Sequence, residues 1–251
     1  MSFLIGLLAG IFGGLVGLGG GIIMIPLMVG ILKMGQHKAH GTSLVALVFT
    51  GISGAITYAM KGSIDLIAAL LIATTAIFTA RAGAHYAHTL AEGKLKRSFG
   101  VFMIVVSLLL LMKPYLPQLG QPVLGWTTIA VFLATGIASG FLSGMMGVGG
   151  GSIMVPAMVL LAGFTQHTAQ GSSLLAMVPA SGVGAFTHWK LGNVNAKLIP
   201  GIIPGILIGT FLGGSFAHMI PEGPLRLLFV GMLMWMGVKY VCRSFAQDDS
   251  F

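Results

Sequence analysis

The sequence predicts an all-α, polytopic membrane protein built of two homologous repeats, inverted relative to one another, each a glycine-broken helical hairpin followed by three transmembrane helices. Three observations carry this. Apolar residues make up 56% of the 251-residue chain and charged residues 7%, with a mean hydropathy of +0.98, far from the roughly 25% charged content of a soluble domain. The stretch from Gly14 to Met28, GLVGLGGGIIMIPLM, returns from Gly144 to Met158 as GMMGVGGGSIMVPAM, with nine of fifteen positions identical at an offset of 130 residues. The loop cations gather on one face only if the two repeats have opposite orientation.

The offset holds without a gap. His37 and Gly41 to Leu44 meet His167 and Gly171 to Leu174, and Thr57, Gly62, Gly83, His88 and Glu92 meet Thr187, Gly192, Gly213, His218 and Glu222. Residues 1–112 form the first repeat, 113–122 a linker rich in proline, 123–245 the second repeat and 246–251 a polar tail. In the first repeat an apolar run from Phe3 to Leu32, broken at Gly17 to Gly21, precedes spans at Gly41 to Met60, Ile64 to Leu90 and Ser98 to Met112, the last short for a bilayer. In the second, Trp126 to Leu161 is broken at Gly147 to Gly151, and Gly171 to Lys190, Lys197 to Ile220 and Leu225 to Val241 follow. No Asp, Glu, Lys or Arg occurs from Met1 to Leu32 or between Lys113 and Lys190, so long stretches meet hydrocarbon without burying a charge.

The broken element is the informative one. Five residues with four glycines disfavour a continuous helix by up to about 1 kcal/mol each. Two helical pieces joined by exposed backbone are expected instead, and such backbone is tolerable at membrane depth only where protein or a water-filled cavity satisfies it. New half-helices starting at Ile22 and Ser152 would present free N–H groups and a positive dipole end to an anion. Pro26 and Pro156 then suit a first helical turn. Gly10 and Gly140, inside the neighbouring helical runs, are the natural controls for these positions.

If the broken element enters and leaves on one side, Lys33, Lys38, Lys94, Lys96, Arg97, Lys190, Lys197, Lys239 and Arg243 share a face against Lys61, Lys113 and Arg226. If it crosses once, the same twelve cations divide six and six. The nine-to-three division favours inverted repeats with both termini cytoplasmic. The formal charge of +8 is then loop basicity at an anionic leaflet. Nucleic acid is not expected as a partner, because no basic cluster exceeds three residues. No basic residue precedes the first apolar run, as a cleaved signal peptide would require. The single Cys242 allows no intramolecular disulfide and no metal pattern.

At GLGGGIIMIP with HKAHGTSL, and their second copies GVGGGSIMVP and HTAQGSSL, the chain resembles the sulfite exporter TauE/SafE family of integral membrane permeases over essentially its whole length. The resemblance implies movement of small anions, notably sulfite and organosulfonates, across the bacterial cytoplasmic (inner) membrane, without ATP-binding motifs.

The expected substrate-binding residues are Gly19, Gly20, Gly21, Gly149, Gly150, Gly151 and Ser152 through their backbone, and Thr42, Ser43, Ser172 and Ser173 from the adjacent helix starts. Close helix packing is the alternative role for the glycines. Arg81, deep in the third run and matched by Phe211, is either a counter-ion for substrate or a snorkelling cation. His37 and His167 open the second helix of each repeat and are candidates for coupling transport to protons. His85, His88 and Glu92 share a helix face that would suit a metal, but the second copy keeps only His218 and Glu222, so no metal or other cofactor is expected. The sixteen methionines follow apolar runs and read as core. The reading is a secondary transporter, not an enzyme, taking a small anion between the two breaks. Its rivals are a passive anion channel, a membrane-embedded metalloenzyme and a structural scaffold.

Overall fold

A computed structural model describes residues 1–86, 92–113 and 125–248, with side chains at 1–86, 100–113 and 125–242. Among these residues the regular structure is entirely helical: α1 (Ser2–Val16), α2 (Gly21–Gly30), α3 (Gln36–Met60), α4 (Leu66–Tyr86), α5 (Glu92–Met112), α6 (Trp126–Met146), α7 (Gly151–Leu161), α8 (Gln166–Lys190), α9 (Ile199–Ala217) and α10 (Glu222–Asp248). Five are long and apolar enough to cross a bilayer: α3, α4, α6, α9 and the Glu222–Cys242 part of α10. α8 matches α3 in length at 25 residues but is not one of the five. Its Gln166, Gln170, Ser172, Ser173, Ser181 and His188 are all buried, so protein rather than lipid surrounds its polar groups.

Both breaks form where the glycines predict them. α1 stops at Gly17 (φ 71°) and α2 starts from Gly20 (φ 76°). α6 stops at Gly147 (φ 64°). Between them Gly19 and Gly149 hold φ 88° and 92°, a region that side chains rarely enter. The chain then doubles back, since a Cβ on Gly20 would strike the Ala9 carbonyl and Ile5 and Ala9 cluster with Met24 and Met28. The element is therefore a hairpin. At 1.5 Å per residue α1 and α2 reach about 22 and 15 Å, less than a hydrocarbon core of roughly 30 Å.

Several boundaries differ from the sequence expectation. α2 and α7 start at Gly21 and Gly151, one residue early, which makes Pro26 and Pro156 the sixth helical residue rather than part of the first turn. Each proline then withholds the N–H that the carbonyl of Ile22 or Ser152 would have accepted. α3 begins at Gln36 rather than Gly41, and α5 at Glu92 rather than Ser98, because a helix continues past the apolar run into the wet interface. α9 ends at Ala217, and α10 continues to Asp248, through the start of the expected tail. Of the expected linker only Lys113 is among the described residues.

Glycine faces set the helix pairing. α1 runs parallel to α9: Cβ atoms on Gly6, Gly10 and Gly14 would collide with the carbonyls of Ile202, Ile206 and Thr210. α6 runs parallel to α4 in the same way, with Gly136, Gly140 and Gly144 against Ile72, Ala76 and Ala80. Gly10 and Gly140 are thus close-packed and cannot serve as neutral controls. α3 and α8 cross the centre antiparallel, with Gly41 beside Asn193, Gly51 beside Val178 and Gly171 beside Ser63. α5 and α10 are also antiparallel, with Gly100 beside Gly237 and Ser107 beside Met234. Adding 130 to one partner and subtracting 130 from the other converts the α1–α9 contacts into the α6–α4 contacts.

Candidate functional site

The two breaks meet at the centre of the bundle. A Cβ on Gly21 would lie 2.7 Å from the Gly147 carbonyl oxygen, and one on Gly151 would strike the Gly17 carbonyl. Leu47 and Met177, which occupy corresponding positions in α3 and α8, press on Gly19, and Met177 presses on Gly149. Neither α2 nor α7 has a side-chain cap at its N-terminus; the Ile23 and Ile153 N–H groups turn back to the Gly20 and Gly150 carbonyls, so the donors offered there are the N–H groups of Gly21 and Ile22 and of Gly151 and Ser152.

The hydroxyls expected at the site are engaged across the centre. The Ser43 O–H donates to the Gly147 carbonyl at 2.5 Å, and the Ser173 O–H points to the Gly17 carbonyl at 3.1 Å and to its own helix at Gln170. Thr42 donates to the Lys38 carbonyl and accepts the Asn195 N–H at 2.9 Å. Ser172 accepts the Asp65 N–H at 2.8 Å. Ser152 is buried in the first turn of α7. Ser43, Ser173, Thr42 and Ser172 thus bind each half to the other half's break or loop.

Polar residues that sequence reasoning passed over surround them. The Tyr58 hydroxyl lies 2.9 Å from the Gly14 carbonyl and 2.8 Å from the Gln170 amide. The hydroxyl has one O–H to give and two acceptors in reach, the Gly14 carbonyl and Gln170 Oε1, so it ties α3 to both α1 and α8. His188, at Tyr58's corresponding position, directs Nε2 to the Gly144 carbonyl at 3.0 Å.

A cavity of about 400 Å³ runs from the break to the surface, lined by Gly21, Ile22, Ile25, Pro26, Val29 and Gly30, by Gln36 and His40 of α3, by Met146 and Val148, and by Trp235, Met236, Lys239 and Tyr240 of α10. Gly21 and Ile22 are buried at its inner end, whereas Gly30 and Gln36 are exposed. Among the described residues the corresponding region of the second half is packed: Val106, Leu110, Val155, Met158 and Val159 are buried in one cluster, and the rings of Phe132 and Phe164 meet edge-on at 5.8 Å. Gln166, the counterpart of exposed Gln36, is fully buried with both amide atoms unpartnered. Across this closed end the Lys113 ammonium donates to the Phe164 carbonyl at 3.1 Å and lies 3.8 Å from Glu222, which also accepts the Gln166 N–H. Desolvation holds the Lys113 ammonium below its ordinary pKa, an effect the Glu222 carboxylate opposes. The offset carried a signal for the asymmetry: Trp235, Met236, Lys239 and Tyr240 stand against Val105, Val106, Leu109 and Leu110.

Of the remaining candidates, Arg81 is exposed on α4 and is not brought to the breaks, and His37 is exposed in the first turn of α3. His167 packs 5.2 Å from the His218 ring, with Nε2 at 3.1 Å from the Ala217 carbonyl. His85 is exposed, and His88 and the Glu92 side chain lie outside the described residues. Among the described residues no group of three His, Cys, Asp or Glu is placed to hold a metal ion.

The family model for the sulfite exporter TauE/SafE matches residues 2–240. The chain belongs to this family. Similar proteins agree with that assignment: the probable membrane transporter protein YunE of Bacillus subtilis (strain 168) is 29% identical, covering 96% of this chain and 98% of its own length. A probable membrane transporter protein of Xylella fastidiosa (strain 9a5c) is 32% identical, covering 93% of this chain and 91% of its own. MJ0441 of Methanocaldococcus jannaschii, also named a probable membrane transporter protein, is 24% identical over 95% of this chain. No solved structure gives a significant match. This TauE/SafE protein is thus a multi-pass membrane transporter, and the names in its family are those of transporters rather than enzymes.

Proposed function

We propose that the chain is a secondary exporter of small sulfur-containing anions, such as sulfite or organosulfonates, in the cytoplasmic membrane. The anion sits between the two hairpins and is exposed to each side in turn. The observation that carries this reading is that the cavity ends at Gly21 and Ile22, where the uncapped start of α2 faces the other break. Backbone N–H groups of Gly19 to Gly21 and of Gly149 to Ser152 bind the oxyanion. Thr42, Ser43, Ser172 and Ser173 act from the flanking helices, holding the breaks in register.

The antiparallel run of the corresponding helices α3 and α8, and of α5 and α10, supports inverted repeats. With the nine-to-three cation division, both termini face the cytoplasm and the cavity opens to the same side. His37 and His167 accept protons in a coupled cycle, and Arg81 snorkels to the membrane surface.

Thermal stabilisation of the purified protein by sulfite, sulfate, thiosulfate, sulfoacetate and acetate tests the substrate class. Gly150→Ala tests the site: its φ of −80° admits a side chain, and the added Cβ meets only the flexible end of Met154 and the Ser139 Cβ. Anion affinity should fall about tenfold or more in Gly150→Ala, on the scale of ~1.4 kcal/mol per decade, and stay unchanged in Gly182→Ala, which meets nothing within 4 Å. Normal binding by Gly150→Ala would make the breaks packing devices. Flux in proteoliposomes that ignores an imposed proton gradient would favour a channel.

A further inference from the structure

The two glutamates of the chain stand 130 residues apart, Glu92 opening α5 and Glu222 opening α10. Lys113, just past the end of α5, and Arg243, in the last turns of α10, are separated by the same offset. α5 and α10 run antiparallel, so the register that sets Gly100 beside Gly237 and Lys113 beside Glu222 brings the backbone of Glu92 level with that of Arg243 at the other end. We propose that these are two copies of one latch: Lys113 with Glu222 holds shut the end that is closed here, and Arg243 with Glu92 shuts the cavity end once the first is released. This rests on the alternating-access reading above.

The closed copy shows how such a latch works. The pair itself, at 3.8 Å and partly exposed, contributes little as a bare charge contact. Its effect lies in what else it holds. The Lys113 ammonium donates to the Phe164 carbonyl and the Glu222 carboxylate accepts the Gln166 N–H, which ties α5 and α10 to the corner between α7 and α8. Glu222 lies in the first turn of α10 and against the first N–H of α8, so two positive helix ends favour its charge. The corner so held is not at rest. Gln166 is buried there with neither amide atom partnered, a cost that water would relieve if the end opened. Its counterpart Gln36 is exposed on the cavity wall. An orphaned amide on one side of the balance and a clasp on the other make this corner a two-state element.

The open end carries a corner of the same build, since the Met34 N–H reaches the Met28 carbonyl as the Phe164 N–H reaches that of Met158. The charge pattern singles out the latch positions. Lys33, Lys61, Arg81, Lys190, Lys197 and Lys239 all stand against uncharged residues at the 130-residue offset. Charge of the same sign is kept only at Glu92 and Glu222, at Lys113 and Arg243, and at Lys96 and Arg226 one turn beyond each glutamate. Each acid comes from one repeat and its cation from the other. Neither latch can therefore form within a single half, and closing one end draws on both repeats.

The test uses the full chain in lipid nanodiscs, with Cys242→Ser and Gln166→Cys, and reads the rate at which position 166 reacts with a charged thiol reagent. Glu222→Gln and Lys113→Gln should each raise that rate about three- to tenfold, and together by less than the product, because they remove one shared contact. Adding Glu92→Gln or Arg243→Gln to Glu222→Gln should bring the rate back toward wild type by a similar factor, because the clasp of the opposite state is then weakened too. General loosening of the fold would raise the rate in every variant. A further rise on adding Glu92→Gln therefore overturns the proposal, as does an unchanged rate with Glu92→Gln, or with both Glu222→Gln and Lys113→Gln. Alternating access is read separately, with methanesulfonate and cysteines at 36 or 166 in the otherwise unaltered Cys242→Ser chain. If the anion moves these two rates in opposite directions while the latch variants are inert, alternating access stands and the latches fall. Rates that move together remove alternating access and the latches with it.

Discussion

Single positions in the two breaks differ in what a side chain would meet. Gly20 (φ 76°) and Gly150 (φ −80°) stand at matching places in the two breaks, yet alanine should strain the first and fit the second. Gly20→Ala is expected to lower stability by about 2 kcal/mol or more, from the left-handed backbone and the collision with Ala9, whereas Gly150→Ala should melt near wild type; differential scanning of the two variants checks this. At the corners after the hairpins the Met34 N–H reaches the Met28 carbonyl and the Phe164 N–H that of Met158. The left-handed residue in that cap is Gly163 in one copy and Lys33 (φ 50°) in the other. Lys33→Gly should therefore stabilise by about 0.5–1 kcal/mol. His218 carries a pH signature. Burial, then the neighbouring His167 and Lys61 charges, hold its pKa below the ordinary histidine value, against the pull of the Gly214 carbonyl. Between that lowered value and about 6.5 the unfolded chain binds more protons than the folded one, so stability rises with pH through the window and is lost on acidification. His218→Gln should remove that part of the acid sensitivity in melting curves taken from pH 5 to 7.5.

At the scale of elements, the breaks were legible because glycine runs are a poor helix interior, and the 130-residue offset showed that there are two. Partner choice was not legible. Gly6, Gly10 and Gly14 mark a helix face that packs closely on something, but only the tertiary arrangement selects α9. The onset of α3 was hidden for another reason: Gln36, His37 and Lys38 are polar, and hydropathy locates the membrane rather than the end of the helix. The cavity was missed because Trp235, Lys239 and Tyr240 read as the wet end of a last span until α2 is set against them. The glycine faces supply an element-scale prediction. Gly144→Val places a branched side chain against the Ala80 backbone, where backbone rather than a movable side chain must yield, and should lower stability by about 3 kcal/mol or more. Gly182→Ala, with nothing within 4 Å, should raise it by about 0.5–1 kcal/mol. Equal melting temperatures for the two variants would mean that α4 and α6 are not apposed as described.

For the whole molecule, the asymmetry of the two ends is the central fact: among the described residues one is open and the other closed. A buried carboxamide without partners disfavours the closed end by about 1–3 kcal/mol, and the Lys113–Glu222 contact with its bonds to Phe164 and Gln166 opposes that tendency. In a Cys242→Ser background, a cysteine at Gln36 should react with a charged thiol reagent and one at Gln166 should not. Adding Glu222→Gln should raise the rate at 166 several-fold by populating the other state; an unchanged rate would show that the ion pair does not hold the end shut. Cysteines at Lys61 and Leu191, both exposed and 130 residues apart, should label from opposite sides of intact cells, and labelling from one side would remove the inverted arrangement. The parallel pairing of α1 with α9 has a further consequence, for biosynthesis. α1 leaves the ribosome roughly 180 residues before its partner, so at 5–20 residues per second its glycine face waits about 10–40 s in the bilayer with nothing to pack against. Neither half can complete its own packing, and a chain arrested before Ile199 would present that bare face to whatever insertion factors or proteases survey the membrane.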